Sequence, residues 1–183
     1  MAELPTLLTE RLLLRPFTLE DAPFVQRLAG AREIADTTIS IPHPYEYEYA
    51  EKWIAGHENA FVQGTAIHFA IEIKDVKQLI GAIELRDIDI EQEQAELSYW
   101  IGVEWWGKGF ASEAAQCLLR YGFEHIHLNR IYAYYMLRNP ASGRVLQKVG
   151  MRQEGLMRQR VRKWGIFEDV VLYAILYTDW LAY

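Results

Sequence analysis

Apolar residues along this chain recur with two spacings, and the places where one gives way to the other divide it into elements. The run Leu12-Leu13-Leu14 predicts a first strand over 11–16. Thr18 offers a hydroxyl to cap a helix, Glu20 and Asp21 suit its first turn, and the helix reaches about Ala29. A loop rich in Thr, Ile and Pro continues through Pro42 and Pro44. Tyr49, Trp53, Ala60 and Phe61 mark one stripe of a second helix that stops near Gly64. Strands over 66–73 and 79–85 flank a hairpin turn, and an acidic loop over 87–93 leads to a long strand over 94–103.

The clearest element follows. Ala111, Ala114, Ala115, Leu118, Leu119, Gly122 and Phe123 keep the i, i+3, i+4, i+7 spacing without a break, with Glu113, Gln116, Arg120 and Glu124 on the other side. A strand over 130–135 comes next. A short helix over 142–149 then ends at Gly150, a residue suited to close it. Strands over 153–162 and 167–176 meet around Trp164-Gly165. The expected fold is a mixed α/β (α+β) sheet covered by helices.

Composition narrows the class. At 183 residues, 51% hydrophobic and 24% charged, the chain suits one soluble domain over 1–183 with a sizeable core. The run at 12–14 is short and bracketed by Arg11 and Arg15, unlike a signal peptide, and the longest apolar run, 170–177, is too short to span a bilayer. A cytoplasmic protein without membrane partners is expected. The single Cys117 allows no intrachain disulfide, which suits a reducing compartment. A formal charge of −6 argues against nucleic acid as a partner. That charge is uneven, −10 over the first hundred residues and +4 over the rest. The division suits a polyanionic cofactor held by the second half and a cationic substrate drawn to the first.

The chemistry is concentrated in Trp106-Gly107-Lys108-Gly109-Phe110-Ala111-Ser112, between the long strand and the alanine-rich helix. The glycines let the backbone turn sharply and approach a ligand. The free N–H groups of the following helix and its dipole make an anion site, most naturally for a pyrophosphate. A dinucleotide loop would want glycine at Ser112 and an acid after the next strand, where Met136, Leu137 and Arg138 stand; a Walker A spacing is absent. A turn that binds nothing is the remaining alternative. No metal site is expected, because His125 and His127, two apart, fall on different helix faces.

Several stretches occur in order around the loop: Ala95-Glu96-Leu97-Ser98-Tyr99-Trp100-Ile101-Gly102, Leu128-Asn129-Arg130-Ile131-Tyr132-Ala133, Arg138-Asn139-Pro140-Ala141-Ser142 and Val145-Leu146-Gln147-Lys148-Val149-Gly150-Met151. With the opening Thr9 to Pro16 and the closing Asp169 to Tyr173, the chain resembles the GNAT acyltransferase superfamily over almost its whole length. Within it the chain is similar to the RimJ/RimL-type branch, which includes ribosomal-protein N-terminal acetyltransferases. The resemblance implies a mostly antiparallel sheet of six or seven strands, splayed between the fourth and fifth and flanked by about four helices. Acetyl-CoA would lie in the splay, its pyrophosphate on the backbone of Trp106, Gly107, Lys108, Gly109, Phe110, Ala111 and Ser112. Its pantetheine arm would pair with the strand near Ile101 and Val103, and Asn139 would also touch it. The acceptor would be an amine, on a protein N-terminus or on a small molecule such as a polyamine, amino sugar or amino-acid derivative, and the enzyme a monomer or homodimer. A non-catalytic acyl-CoA-binding module is the remaining alternative, which the presence of Glu96, Ser142 and the glycine loop disfavours.

Amide formation needs a neutral amine and a proton for the leaving thiolate. Glu96, which strand alternation groups with Ser98 and Trp100, is the first candidate base, by likeness to a catalytic glutamate in some members of the superfamily. Its alternative is a salt-bridged strand residue; Glu84 is a second candidate and a water-mediated base a third. The superfamily's usual acid is a tyrosine on the short helix, where this chain has Leu146. Ser142, on the same face, is the substitute, or else only a capping hydroxyl.

Overall fold

The computed structural model describes residues 4–182. Strands β1 (Leu7–Leu8) and β2 (Leu12–Arg15) lead through a 3-10 turn at Leu19–Asp21 into α1 (Ala22–Ala29). Helices α2 (Arg32–Thr37), α3 (Tyr47–Ala55) and α4 (His57–Val62) precede strands β3 (Ile67–Ile73), β4 (Gln78–Asp89) and β5 (Gln94–Ile101). A 3-10 turn at Val103–Trp105 and the glycine loop open α5 (Phe110–Glu124). Then come β6 (Arg130–Met136), α6 (Pro140–Lys148), β7 (Arg152–Lys163), β8 (Ile166–Leu176) and α7 (Tyr177–Leu181).

The strands form one sheet in the order β1-β2-β3-β4-β5-β6-β8-β7, antiparallel throughout except for the parallel pair β5–β6. Leu12, Leu14, Phe69, Ile71, Ile83, Leu85 and Leu97 bury one face under Ala114, Ala115, Leu118 and Leu119 of α5. Each such leucine or isoleucine contributes about 1.5–3 kcal/mol when fully buried. Val25 and Leu28 of α1 and Ala50 and Ile54 of α3 cover the other face around Ala70 and Leu79. Arg15 fastens that side. Its guanidinium takes both oxygens of buried Asp21 at 2.8 Å and meets Glu72 at 2.8 Å. Burial alone would raise the Asp21 carboxyl, but Arg15 and Thr18 together hold it below its ordinary value.

The mixed α/β class and the long α5 match expectation, and four α-helices among the described residues have eight residues or more. The sheet has eight strands rather than six or seven, because the two-residue β1 is too short to leave a pattern. The helix expected to run to Gly64 breaks at Gly56, which has no side chain to carry the stripe onward. The loop before it contains α2, whose buried face is only Ile34 and Ala35. The long strand ends at Ile101, not at Val103. Gly102 N–H still donates to Ile80, but the Trp105 N–H turns back onto the Gly102 carbonyl at 2.9 Å and closes a 3-10 turn.

At Gly81, β4 comes so close to β5 that a Cβ would stand 2.2 Å from the Trp100 carbonyl oxygen. The oxygen belongs to the backbone of a paired strand and the Cβ is fixed to the other, so neither yields cheaply. Gly81→Ala is therefore expected to destabilise the fold by about 1–3 kcal/mol. Urea unfolding measures it, and an unchanged midpoint would show that the two strands part there at no cost.

Candidate active site

Three residue pairs join β5 to β6: Gln94 with Arg130, Ala95 with Ile131 and Glu96 with Tyr132. The bond from Gly102 N–H to the Ile80 carbonyl, 2.8 Å, sets the phase of the β4–β5 ladder. In that phase the peptide groups of Glu96, Ser98 and Trp100 turn toward β4, and those of Leu97, Tyr99 and Ile101 turn away from it. Past the Leu97 N–H, which closes the last pair, the second set has no strand to meet. A cavity of about 610 Å³ opens there, lined by residues 97–101 of β5 and 133–136 of β6.

The glycine loop closes one end of this cavity. Gly107 and Gly109 have φ of 74° and 83°, a left-handed backbone that glycine adopts without strain. Gly109 caps α5 and has no side chain to accept from it. The Glu113 N–H is the first to bond inside the helix, to the Gly109 carbonyl at 3.1 Å. The N–H groups of Phe110, Ala111 and Ser112 are left for a ligand. Arg11 holds the loop from behind. It donates from Nη1 to the Lys108 carbonyl at 3.0 Å, pairs with Glu113 at 2.7 Å and lies over the Phe110 ring. Burial would raise the Glu113 carboxyl, but bonds from Thr9 and Arg11 hold it below its usual range. Trp106 donates from its indole to the Ile101 carbonyl at 2.6 Å, which binds the loop to the end of β5.

At the middle of the cavity, Asn139 caps α6 by accepting from the Ser142 N–H at 3.4 Å. The Ser142 hydroxyl is thereby free of capping, and it meets the Tyr99 hydroxyl at 2.9 Å. Burial pushes the Tyr99 phenol up to about 12, so it keeps its proton at neutral pH.

The far end carries the charged floor. Glu96, 7% exposed, receives Arg86 Nη2 at 2.5 Å. Burial raises the Glu96 carboxyl, and Arg86 recovers only part of that. Glu84 lies 3.5 Å from Arg86 and 2.9 Å from His68 Nε2. The walls are apolar: Ile34, Ile39 and Ile41 from the α2–α3 segment, Trp53 from α3 and Trp100 from β5. Two ties fix that segment. Arg138 bonds Asp36 and Glu168, both at 2.8 Å, and Lys163 Nζ donates to the Ile41 carbonyl at 2.7 Å.

Residues 11–152 match the acetyltransferase (GNAT) domain. The chain belongs to the GNAT acetyltransferase family. An uncharacterized N-acetyltransferase, p20 of Bacillus licheniformis, is 35% identical over 93% of this chain and 96% of its own. The [ribosomal protein uS5]-alanine N-acetyltransferase of Escherichia coli is 35% identical over 72% of this chain and 70% of its own. Among solved structures, spermidine N-acetyltransferase of Vibrio cholerae, in complex with CoA and spermine, superposes with a TM-score of 0.82 at 27% identity, covering 94% of this chain and 99% of that one.

In this N-acetyltransferase the cavity brings together Glu96, Ser142, Asn139, Ile101, Trp106, Gly107, Gly109, Phe110, Ala111 and Ser112. Val103 and Lys108 are not in its lining. Val103 sits in the 3-10 turn, its carbonyl taken by the Trp106 N–H at 3.2 Å, so it offers no strand edge to a ligand. The Lys108 ammonium turns back over the Trp105 ring, 4.7 Å from its centroid. Three residues escaped the sequence reading. Tyr99 alternates with Glu96 onto the α5 side, Arg86 stands directly across the β4–β5 hairpin from Glu96, and Arg11 lies in the bend before the distant strand β2.

His57 sits at the outer edge of the floor, stacked on His68 at 4.0 Å. Burial, reinforced by His68, holds its ring down at about 3, so it is neutral in the fold. An unfolded histidine titrates near 6.5, so below about that pH the unfolded chain binds the extra proton and stability falls as pH drops toward 3. His57→Phe is expected to flatten the dependence of unfolding free energy on pH across that window. The change is at most about 1.4 kcal/mol per pH unit. Urea titrations at several pH values read the slope, and an unaltered slope would mean that His57 is protonated in the folded protein.

Proposed function

We propose that the enzyme transfers an acetyl group from acetyl-CoA to a protein N-terminal amine, working as one domain over 1–183 in the cytoplasm. Acetyl-CoA supplies an acyl group activated as a thioester; transfer forms a C–N bond, breaks the C–S bond, and moves one proton from amine to thiolate. The N–H groups from Gly107 to Ser112 suit the pyrophosphate, with Arg11 keeping the loop in shape. The free peptide group of Tyr99 and the Ile101 N–H, whose own carbonyl is taken by Trp106, suit the pantetheine amides and the acyl carbonyl, two residues earlier than the expected Ile101 and Val103. Glu96, buried at the acceptor end, takes the proton from the amine. Ser142 gives one to the thiolate, with the protonated Tyr99 hydroxyl behind it.

The observation that carries the choice of acceptor is the pairing of the floor. Glu84 and Glu96 are the two carboxylates in the lining, and both are engaged by Arg86 or His68. A polyamine brings further ammonium groups that would have to be buried among isoleucine and tryptophan with no free carboxylate to meet them. A single amine on an apolar residue meets no such cost. The named relatives act at a ribosomal-protein alanine and on spermidine, so both acceptors are the right comparison. Turnover measured by CoA release is expected to favour a peptide with a free alanine or serine N-terminus over spermidine. Equal or better turnover of spermidine would reverse the assignment.

Acetyl-CoA is expected to raise the thermal midpoint of the wild-type protein, because it binds the folded state. Gly109→Val should remove most of that shift, since φ of 83° is strained for a β-branched residue and the added side chain reaches the Arg11 guanidinium. A full shift in a folded Gly109→Val protein would place the pyrophosphate elsewhere. The two proton carriers separate by pH. Ser142→Ala should lower turnover with acetyl-CoA affinity nearly intact. Glu96→Gln should lower it by about a hundredfold or more near neutral pH. The loss should shrink at higher pH, where more of the amine is already neutral. Near-normal turnover in Glu96→Gln would remove it as the base and leave Glu84 or a water chain.

A further inference from the structure

Among the described residues, five side-chain polar atoms are buried without a hydrogen bond, and four of them gather in one place. They are His57 Nδ1 and Nε2, His68 Nδ1 and Arg86 Nε. The cluster crosses three strands on the acceptor face of the sheet. His68 on β3 stands opposite Glu84 on β4, and Arg86 on β4 stands opposite Glu96 on β5. His68 Nε2 lies 2.9 Å from Glu84 Oε2, and an ionised carboxylate only accepts, so Nε2 carries the hydrogen. Arg86 is shared unequally. Its Nη2 is 2.5 Å from Glu96, while Nη1 is 3.5 Å from Glu84. The His68 ring cannot swing away, because His57 lies flat on it at 4.0 Å with 4° between the planes, and Trp53 meets His57 edge-on at 4.5 Å.

We propose that His68 is a positioning residue of the acceptor site: by bonding Glu84 it leaves Arg86 committed to Glu96, and so sets the place and charge of the carboxylate that meets the amine. The proposal rests on the reading of Glu96 as proton acceptor, but its physical content does not need turnover. Without a donor at His68, the Glu84 oxygen is left in a mostly buried site and competes for the one guanidinium within reach. Glu96 then loses part of its cation while its burial stays the same, and its neutral form gains. The other charged or titratable groups facing this set are Asp87 on β4, Tyr132 on β6 and His57 on α4, and none supplies a second cation.

The test is the titration midpoint of the Glu96 carboxyl, read by carbon-13 NMR of protein labelled at the glutamate side-chain carboxyl, with Glu96→Gln to assign the signal. In His68→Leu the midpoint should rise by roughly one pH unit or more. His68→Gln keeps an N–H where Nε2 stood and should return it close to wild type. Glu84→Gln leaves the stacked histidines intact, frees Arg86 for Glu96 alone, and should lower the midpoint; this arm decides if His68→Leu does not fold. An unmoved midpoint in His68→Leu, a rise that His68→Gln does not reverse, or no fall in Glu84→Gln overturns the proposal. Normal turnover in Glu96→Gln would instead remove Glu96 as the base and leave these three titrations standing.

Discussion

A peptide group that leaves a sheet still has to find a hydrogen-bond partner, and in this protein that demand creates the site. The β5–β6 ladder stops after three residue pairs. Both strands continue, each secured on its other side by β4 or β8. The free edge facing the gap is therefore rigid, with regularly spaced donors and acceptors and no protein strand to satisfy them. A long ligand with alternating amide groups can do so. One carbonyl is satisfied from within: the Trp106 indole bonds Ile101 and fastens the glycine loop to the strand that ends there. Strand edge and helix N-terminus are thus held in a fixed relation, and a ligand with an amide arm and a phosphate end meets both at once.

Much of this was legible in the sequence where one local rule decided the outcome. The α5 stripe has no competing pattern, and Gly107 and Gly109 before it imply the left-handed turn that both adopt. What stayed hidden depended on partners far along the chain. Val103 continues an apolar run that reads as strand, and only the turn bond from Trp105 to Gly102 shows why the strand has already ended. Glu96 is visible as an acid on a strand, but its cation is set by hairpin register: Arg86 and Glu96 lie at equal distances on either side of the turn near Glu91. Ser142 had a bland alternative as a cap. That role belongs to Asn139, three residues earlier, and the hydroxyl is left for Tyr99.

The two ends of the cavity draw on different parts of the sequence. The charged floor draws Glu84, Arg86 and Glu96 from the first hundred residues, and the free N–H groups at the start of α5 come from the second part. Arg11 crosses over, and its guanidinium is spent largely on Glu113 and the Lys108 carbonyl. Arg11 therefore acts on the loop through the shape of the backbone.

The titratable groups around the two ends of the cavity pull stability in opposite directions. Glu113 titrates below its unfolded value, so it stabilises the fold above the ordinary carboxylate range and that contribution is lost as pH falls through its folded value. Glu96 has the reverse sign. Its folded value is raised, so it favours the fold in acid and works against it as pH rises and the buried carboxyl ionises. Arg86 limits that cost without removing it, since burial is the larger of the two effects. A chain built for stability alone would place an apolar residue at position 96 and drop Arg86 with it, because replacing a buried ion pair by matched apolar groups is often neutral or favourable. Retaining the pair keeps a carboxyl of raised proton affinity at the end of the cavity opposite the glycine loop, the property that a proton acceptor placed there would need.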